Sequence, residues 1–216
     1  MKSQNITIIG AGFIGLASAL NLQKDGHKVT LIDRVGPGNG ASSGNAGVIV
    51  QGNAEPIADP KTLFKVPGWL LDQTGPLTIR WPHLPALIPF LGRMILESHP
   101  SRYRQNAKAL NQLTNLAVPE WNKLIKNTKS EDLIRPVGWL KVFESEASFN
   151  TYGKSVIESC KQFGVRCEAL NIDELRQLEP HLSSAFKHGI LQPDSSFVTN
   201  PQKLLNQLTE RFIDAG

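Results

Sequence analysis

Cysteine is scarce: Cys160 and Cys167 are the two in a chain of 216 residues. They match no metal-ligand spacing and build no disulfide framework, so a reducing, cytoplasmic setting suits the chain. Long apolar runs are missing too. No stretch reaches about 18 uninterrupted apolar residues, which argues against a transmembrane helix. The apolar stretch from Ile6 to Leu20 follows Lys2 in the manner of a signal peptide, but three glycines interrupt it and no small-residue cleavage site follows. Charge of one sign is not concentrated in any long run, and the formal net charge is only +4. A nucleic-acid partner is therefore not expected. His83, His99, His181 and His188 show no metal pairing, and no metal site is expected. Internal repeats and low-complexity tracts are absent.

What is present begins at the N-terminus. Ile6 to Ile9 is a β-branched run that reads as a buried strand. From Phe13 the apolar spacing becomes helical, through Leu16, Ala19 and Leu20, and Gly26 suits a left-handed stop. Lys28 to Asp33 reads as a second strand. Residues 36–54 are rich in Gly, Ser and Asn, as a backbone-rich ligand loop would be. Prolines then punctuate residues 56–100, so short helices and turns are expected there. Leu84 to Leu96 is the most apolar piece. A buried helix is its plainer reading, and a membrane-surface or subunit contact the sharper one. Residues 101–127 read as a helix kinked at Pro119. Gly138 to Glu144 and Gly189 to Leu191 read as strands, and 147–163 as a helix ending at Gly164. Asn171 with Glu174 forms a capping-box pattern, and Asn200-Pro201 opens a last helix carrying Leu204, Leu205, Leu208 and Phe212. Trp69, Trp81, Trp121 and Trp139 are read as core fillers, and Tyr103 and Tyr152 as packing residues in helices.

The strongest chemical signal is Gly10-Ala11-Gly12-Phe13-Ile14-Gly15, set between strand and helix. Gly10 permits the tight turn. Gly12 leaves room for a pyrophosphate to approach the backbone, and Gly15 lets the helix pack on the strands. The helix N-terminus adds unpaired N–H groups and partial positive charge. Asp33 lies 23 positions after Gly10, ending the second strand. Its carboxylate can accept hydrogen bonds from ribose hydroxyls and would repel a 2′-phosphate, which disfavours NADP. Arg34 follows and can flank an adenine or sit in solvent. The loop Gly40 to Val48 brings further backbone and hydroxyl donors, as a cofactor longer than NAD would need.

These residues resemble the FAD-dependent D-amino-acid dehydrogenase/oxidase family, which includes glycine and sarcosine oxidases. The resemblance rests on Gly10 to Arg34, on Gly44-Asn45-Ala46-Gly47, on Gly75-Pro76-Leu77 with Ile79-Arg80, and on Pro193-Asp194 through Asn200-Pro201. The second and third stretches look closest to the bacterial D-amino-acid dehydrogenase branch. The resemblance implies an α/β fold: a Rossmann-like FAD-binding domain with an inserted α+β substrate domain, incomplete at the C-terminus. It implies an FAD-binding unit over 1–54, part of a substrate domain over 55–192, and a return to the FAD-binding domain over 193–216. It implies FAD as cofactor, contacted by Gly10, Gly12, Phe13, Ile14, Gly15, Asp33, Arg34, Ser42, Ser43, Asn45, Ala46, Gly47 and Val48. It implies oxidation of the CH–NH2 group of a small amino acid, with a D-amino acid favoured, by hydride transfer to flavin. The imine then hydrolyses to oxo acid and ammonia, and electrons pass to a quinone chain or to oxygen. The arginine for the substrate carboxylate is expected beyond Gly216, so no catalytic residue is assigned. Neither cysteine matches a flavin-attachment segment. An inactive fragment or partial subunit, and a flavoenzyme of a 2-hydroxy acid or polyol phosphate, stay open. So do the oligomeric state and peripheral contact with the inner face of the cytoplasmic membrane.

Overall fold

The computed structural model describes residues 2–52, 56–63, 66–71, 78 and 80–216. Strand β1 (Asn5–Ile9), helix α1 (Phe13–Lys24) and strand β2 (Lys28–Ile32) open the chain. The two strands pair in parallel, with Ile6 opposite Val29 and Ile8 opposite Leu31. Parallel pairing requires a crossover, and α1 supplies it. Leu16 and Ala19 are its fully buried residues, three apart and on one face. The helix ends at Asp25, and Gly26 turns the chain at φ +88°. Without a Cβ, glycine takes that conformation at no steric cost.

After the loop, β3 (Val48–Ile49) is followed by α2 (Pro60–Leu63), α3 (Val66–Leu71), α4 (Leu84–Glu97), α5 (Pro100–Thr114) and α6 (Ala117–Thr128). Then come β4 (Ile134–Arg135), β5 (Trp139–Phe143), α7 (Glu146–Ser148), α8 (Lys154–Phe163), β6 (Glu168–Leu170), α9 (Ile172–Leu178), β7 (His188–Gln192), β8 (Ser196–Val198) and α10 (Pro201–Asp214). Besides the parallel pair there are two antiparallel sheets, in the orders β3-β8-β4 and β5-β7-β6.

One core joins the first unit to the last. Leu16, Ile49, Leu133, Val198, Leu204, Leu205 and Leu208 are buried together, with Phe13, Trp121, Leu124 and Phe212 packed against them. The Phe13 and Trp121 rings meet edge to face, their centroids 5.5 Å apart. Helix α10 is set by local signals: the Asn200 side chain accepts from the Lys203 N–H at 2.9 Å, and Pro201 occupies the first turn. The Asn171–Glu174 capping box forms as its spacing predicts.

Four expectations are corrected. The segment from Leu84 is a helix but not a buried one: α4 has no buried residue, and Ile88, Phe90, Ile95 and Leu96 are each about 60% exposed. Leu84, Leu91, Met94 and Glu97 are half-buried, and the other residues of the helix are exposed. Residues 101–127 are two helices, broken at Asn115-Leu116, and not one helix kinked at Pro119. Pro119 falls in the first turn of α6, where a missing N–H costs no helical bond. The helix expected over 147–163 is interrupted by a π-helical turn over Phe149–Gly153. Trp81 is 71% exposed and fills no core.

Candidate functional site

Gly10 leaves β1 at φ +105° and donates its N–H to the Ile32 carbonyl at 2.7 Å, so the turn is tied across both strands. Gly12 is the N-cap of α1, in extended conformation and without a capping side chain of its own. The first-turn N–H groups of α1 have no acceptor within the helix. The Phe13 N–H instead donates to Ser42 Oγ at 3.2 Å. A Cβ on Gly12 would lie 2.6 Å from that same oxygen. The bare backbone of Gly12 therefore leaves one small space at the helix N-terminus, which the Ser42 hydroxyl reaches. A Cβ on Gly15 would strike the Gly10 carbonyl, so Gly15 sets the closeness of helix to turn.

Asp33 stands at the tip of β2. Its Oδ2 accepts from the Ala11 N–H at 2.7 Å, and its Oδ1 from the Val35 N–H at 2.9 Å. These donors, Ala11 first, hold the carboxyl below the ordinary aspartate value of 3.8. At neutral pH the group is an anion with acceptor capacity left over, since each oxygen carries two lone pairs. Arg34 is exposed beside it.

The loop after β2 closes on both neighbours. The Gly38 N–H donates to the Ala11 carbonyl at 2.9 Å, and a Cβ on Gly38 would sit 2.8 Å from Leu205 Cδ1. Asn45 braces the next turn: its Nδ2 donates to the Ser42 carbonyl at 2.8 Å and its Oδ1 accepts from the Gly47 N–H at 2.7 Å. Gly47 lies at φ +70°, and its carbonyl accepts from the Val198 N–H at 2.7 Å.

The structure thus brings Gly12, Phe13 and Ser42 together, and Ala11 beside Asp33. Phe13 offers only its N–H, because its ring is in the core. The Ile14 side chain is 83% exposed. Ser43 and Ala46 are exposed, and the Ser43 N–H closes a turn on the Gly40 carbonyl at 3.0 Å. Val48 pairs with Phe197 in the β3–β8 ladder. Ala11, Val35 and Gly38 organise the site without having been singled out from sequence. Gly36-Pro37-Gly38 was the available signal, a turn pattern directly after the strand acid. Gly75-Pro76-Leu77 and Ile79, which contributed to the family resemblance, lie outside the described residues. Arg80 is described, and it is exposed.

A parallel βαβ unit, a glycine-lined helix N-terminus and an acid at the tip of the second strand define the mononucleotide-binding half of a Rossmann-like fold. The chain belongs to the DAO family of FAD dependent oxidoreductases, whose profile matches residues 5–216. It is 34% identical to a D-amino-acid oxidase of Bradyrhizobium diazoefficiens, across 100% of this chain and 51% of that protein. The chain therefore spans about half the length of that curated relative. Among solved structures it is similar to a glycine oxidase of Bacillus cereus, with a TM-score of 0.58 at 17% identity, covering 100% of this chain and 45% of that one. An L-amino acid deaminase of Proteus vulgaris gives a TM-score of 0.63 at 15% identity, covering 100% and 39%. These two likenesses establish the fold, and FAD is the cofactor of the family.

Proposed function

We propose that this chain carries the dinucleotide half of an FAD-dependent enzyme that oxidises the CH–NH2 group of a small amino acid, with a D-amino acid favoured. The observation that supports it most is the cradle at the N-terminus of α1. Gly12 has no side chain there, the first-turn N–H groups have no acceptor within the helix, and an anionic Asp33 stands at the neighbouring strand tip. The 34% identity to a D-amino-acid oxidase turns the reading toward amino acids.

In this reading the N–H groups of Gly12, Phe13, Ile14 and Gly15 receive the pyrophosphate, and Ser42 shares its hydroxyl with it. Gly10 shapes the turn that aims them. Asp33 accepts from the adenosine ribose, with Arg34 at the adenine edge. Ser43, Asn45, Ala46, Gly47 and Val48 form the wall on the flavin side. FAD, when bound, supplies the ring that accepts the hydride from the amine-bearing carbon. The protein's contribution is to hold reactants in line and keep water out. Residues 1–54 and 193–216 would form the cofactor unit, with α6 and β4 docked on it, and the rest of 55–192 would belong to a substrate domain. The electron acceptor would be a quinone or oxygen.

A second reading has one specific observation behind it. The chain covers 51% of its relative, so the chain alone would hold a cradle without a substrate site. Flavin retention and turnover separate the two. The protein, incubated with FAD and gel-filtered, is assayed for bound flavin and for reduction of dichlorophenolindophenol with D-alanine. Flavin retained and lost on Gly12→Val supports the cradle. Turnover with D-alanine supports the substrate, whereas turnover only with a 2-hydroxy acid or glycerol phosphate overturns it. Affinity unchanged in Gly12→Val would sink the pyrophosphate assignment.

A further inference from the structure

Both cysteines are free thiols. Cys160 is buried in α8, and Cys167, just before β6, is half-buried. The chain between them folds back sharply. Gly164 takes φ +68°, and the Val165 N–H donates to the Cys160 carbonyl at 2.8 Å. Strand β6 then pairs antiparallel with β7, Glu168 standing opposite Leu191. One step further in that register, Cys167 comes opposite Gln192, and opposed residues of a ladder present their side chains to one face. Gln192 is buried, and its Nε2 donates to Cys160 Sγ at 3.2 Å. Helix and ladder thus bring both sulfurs to one amide, and the two thiols interact directly.

This is not the setting of a nucleophilic cysteine. Burial pushes the Cys167 thiol up to about 11, and Cys160 beside it adds to the rise. Glu168 raises it further, while Lys161 works the other way. Thiolate is therefore scarce at neutral pH. A disulfide carries no charge to desolvate, so the same burial does not oppose it.

The turn between the cysteines also touches the chain that leaves the Gly40–Val48 loop. A Cβ on Gly52 would strike the Val165 side chain, so the two segments are packed without slack. Arg166 pairs with Asp194 at 3.4 Å, and the next residue, Ser195, accepts the Gln51 N–H on its Oγ at 3.4 Å.

We propose that Cys160 and Cys167 form a redox modification site, a dithiol that closes to a disulfide by exchange with a small disulfide and thereby stiffens the turn bracing Gln51-Gly52. In the exchange, the Cys167 sulfur attacks glutathione disulfide; a mixed disulfide forms and one glutathione thiolate leaves. The Cys160 sulfur then displaces the second glutathione. Two electrons pass from the cysteines to glutathione disulfide, and the two cysteine protons end on the two glutathione thiols. In a reducing setting the dithiol is the resting form, and the disulfide answers a change in that setting. The proposal does not depend on the reaction assigned above.

The test equilibrates the chain with mixtures of glutathione and its disulfide, folded and in urea. Lys161 and Arg166 lie between the cysteines, so trypsin parts them unless a disulfide joins the peptides. Joined peptides are expected, with an equilibrium constant roughly tenfold or more higher in the folded chain than in urea, because folding holds the sulfurs together. Cys160→Ala should leave only a glutathione adduct at Cys167. Hydrogen exchange in the oxidised chain should slow by roughly tenfold or more over 164–167 and also slow over 50–52. Cys167→Ala, the variant at the less buried position, should show neither change under the same oxidant. A linkage no more favourable folded than in urea would overturn the site, as would adducts on both cysteines or dimers joined through Cys167. Joined peptides with exchange over 50–52 unchanged would overturn the brace.

Discussion

The carboxylate of Asp33 ties two loops with one side chain. Through Ala11 it fixes the glycine turn after β1, and through Val35 it fixes the loop after β2. Both bonds require the anion or a neutral acceptor oriented correctly, and both lower the carboxyl's affinity for protons. The sign of the pH effect follows. A carboxyl depressed below 3.8 contributes stability that is full above that value and is lost as pH falls through its lowered one. We expect the Asp33 carboxyl carbon, followed by NMR, to titrate below 3.8. In Asp33→Asn the amide offers one acceptor where the acid offers two, and its NH2 faces an N–H donor. The variant should lose the acid-dependent part of this tether and bind flavin more weakly at neutral pH. An Asp33 titration at or above the ordinary value would remove the tether from the account.

Helices α1 and α10 show how far local signals reach. The capping Asn200, the Pro at the first turn and the leucines at helical spacing specify α10 from sequence alone. Leu204, Leu205 and Leu208 are all fully buried, as that spacing predicts. Two substitutions separate cap from core. Asn200→Ala removes one capping bond and should cost about 1 kcal/mol. Leu208→Ala leaves a cavity in the core shared with α1 and should cost about 2–5 kcal/mol. Urea unfolding of both variants checks the ranking, and a larger loss at Asn200 would show that the cap carries more than its own bond. Elements held by distant partners were less legible. β3, β4, β6 and β8 are two or three residues long, and each exists through ladder partners far along the chain, as Val48 does through Phe197. A two-residue strand has no period to read. The break at Asn115-Leu116 was hidden because the apolar spacing runs on through it. The apolar content of α4 was legible but its exposure was not, because composition cannot tell a buried helix from a largely exposed one. At the candidate site the glycines and Asp33 were legible from spacing, while Ala11 acts through backbone atoms that any residue type carries and Gly38 was marked only by the Gly36-Pro37-Gly38 turn pattern.

Across the whole molecule, burial is uneven in a way that bears on ligand binding. β7 lies between β5 and β6, with Gly189, Ile190 and Gln192 buried. The β1–β2 pair has one face on α1, while the other exposes Thr7 and Thr30 and ends in Ile9, 87% exposed, and Ile32, 52% exposed. Parallel strands are ordinarily covered on both faces, so this pair has less holding its hydrogen bonds than β7 has. Local opening should therefore be easiest where the cofactor cradle is proposed to lie. Hydrogen exchange read by mass spectrometry should find β7 amides protected about tenfold or more beyond those of β1. If FAD binds as proposed, it should slow exchange over 9–16 and 33–47, because its contacts oppose opening there, and leave 139–143 and 188–192 unchanged. Equal protection of β1 and β7 without ligand would refute the uneven burial as a guide to stability. A ligand effect confined to the β5–β7–β6 sheet would move the cofactor away from the N-terminus of α1, whatever its effect on activity.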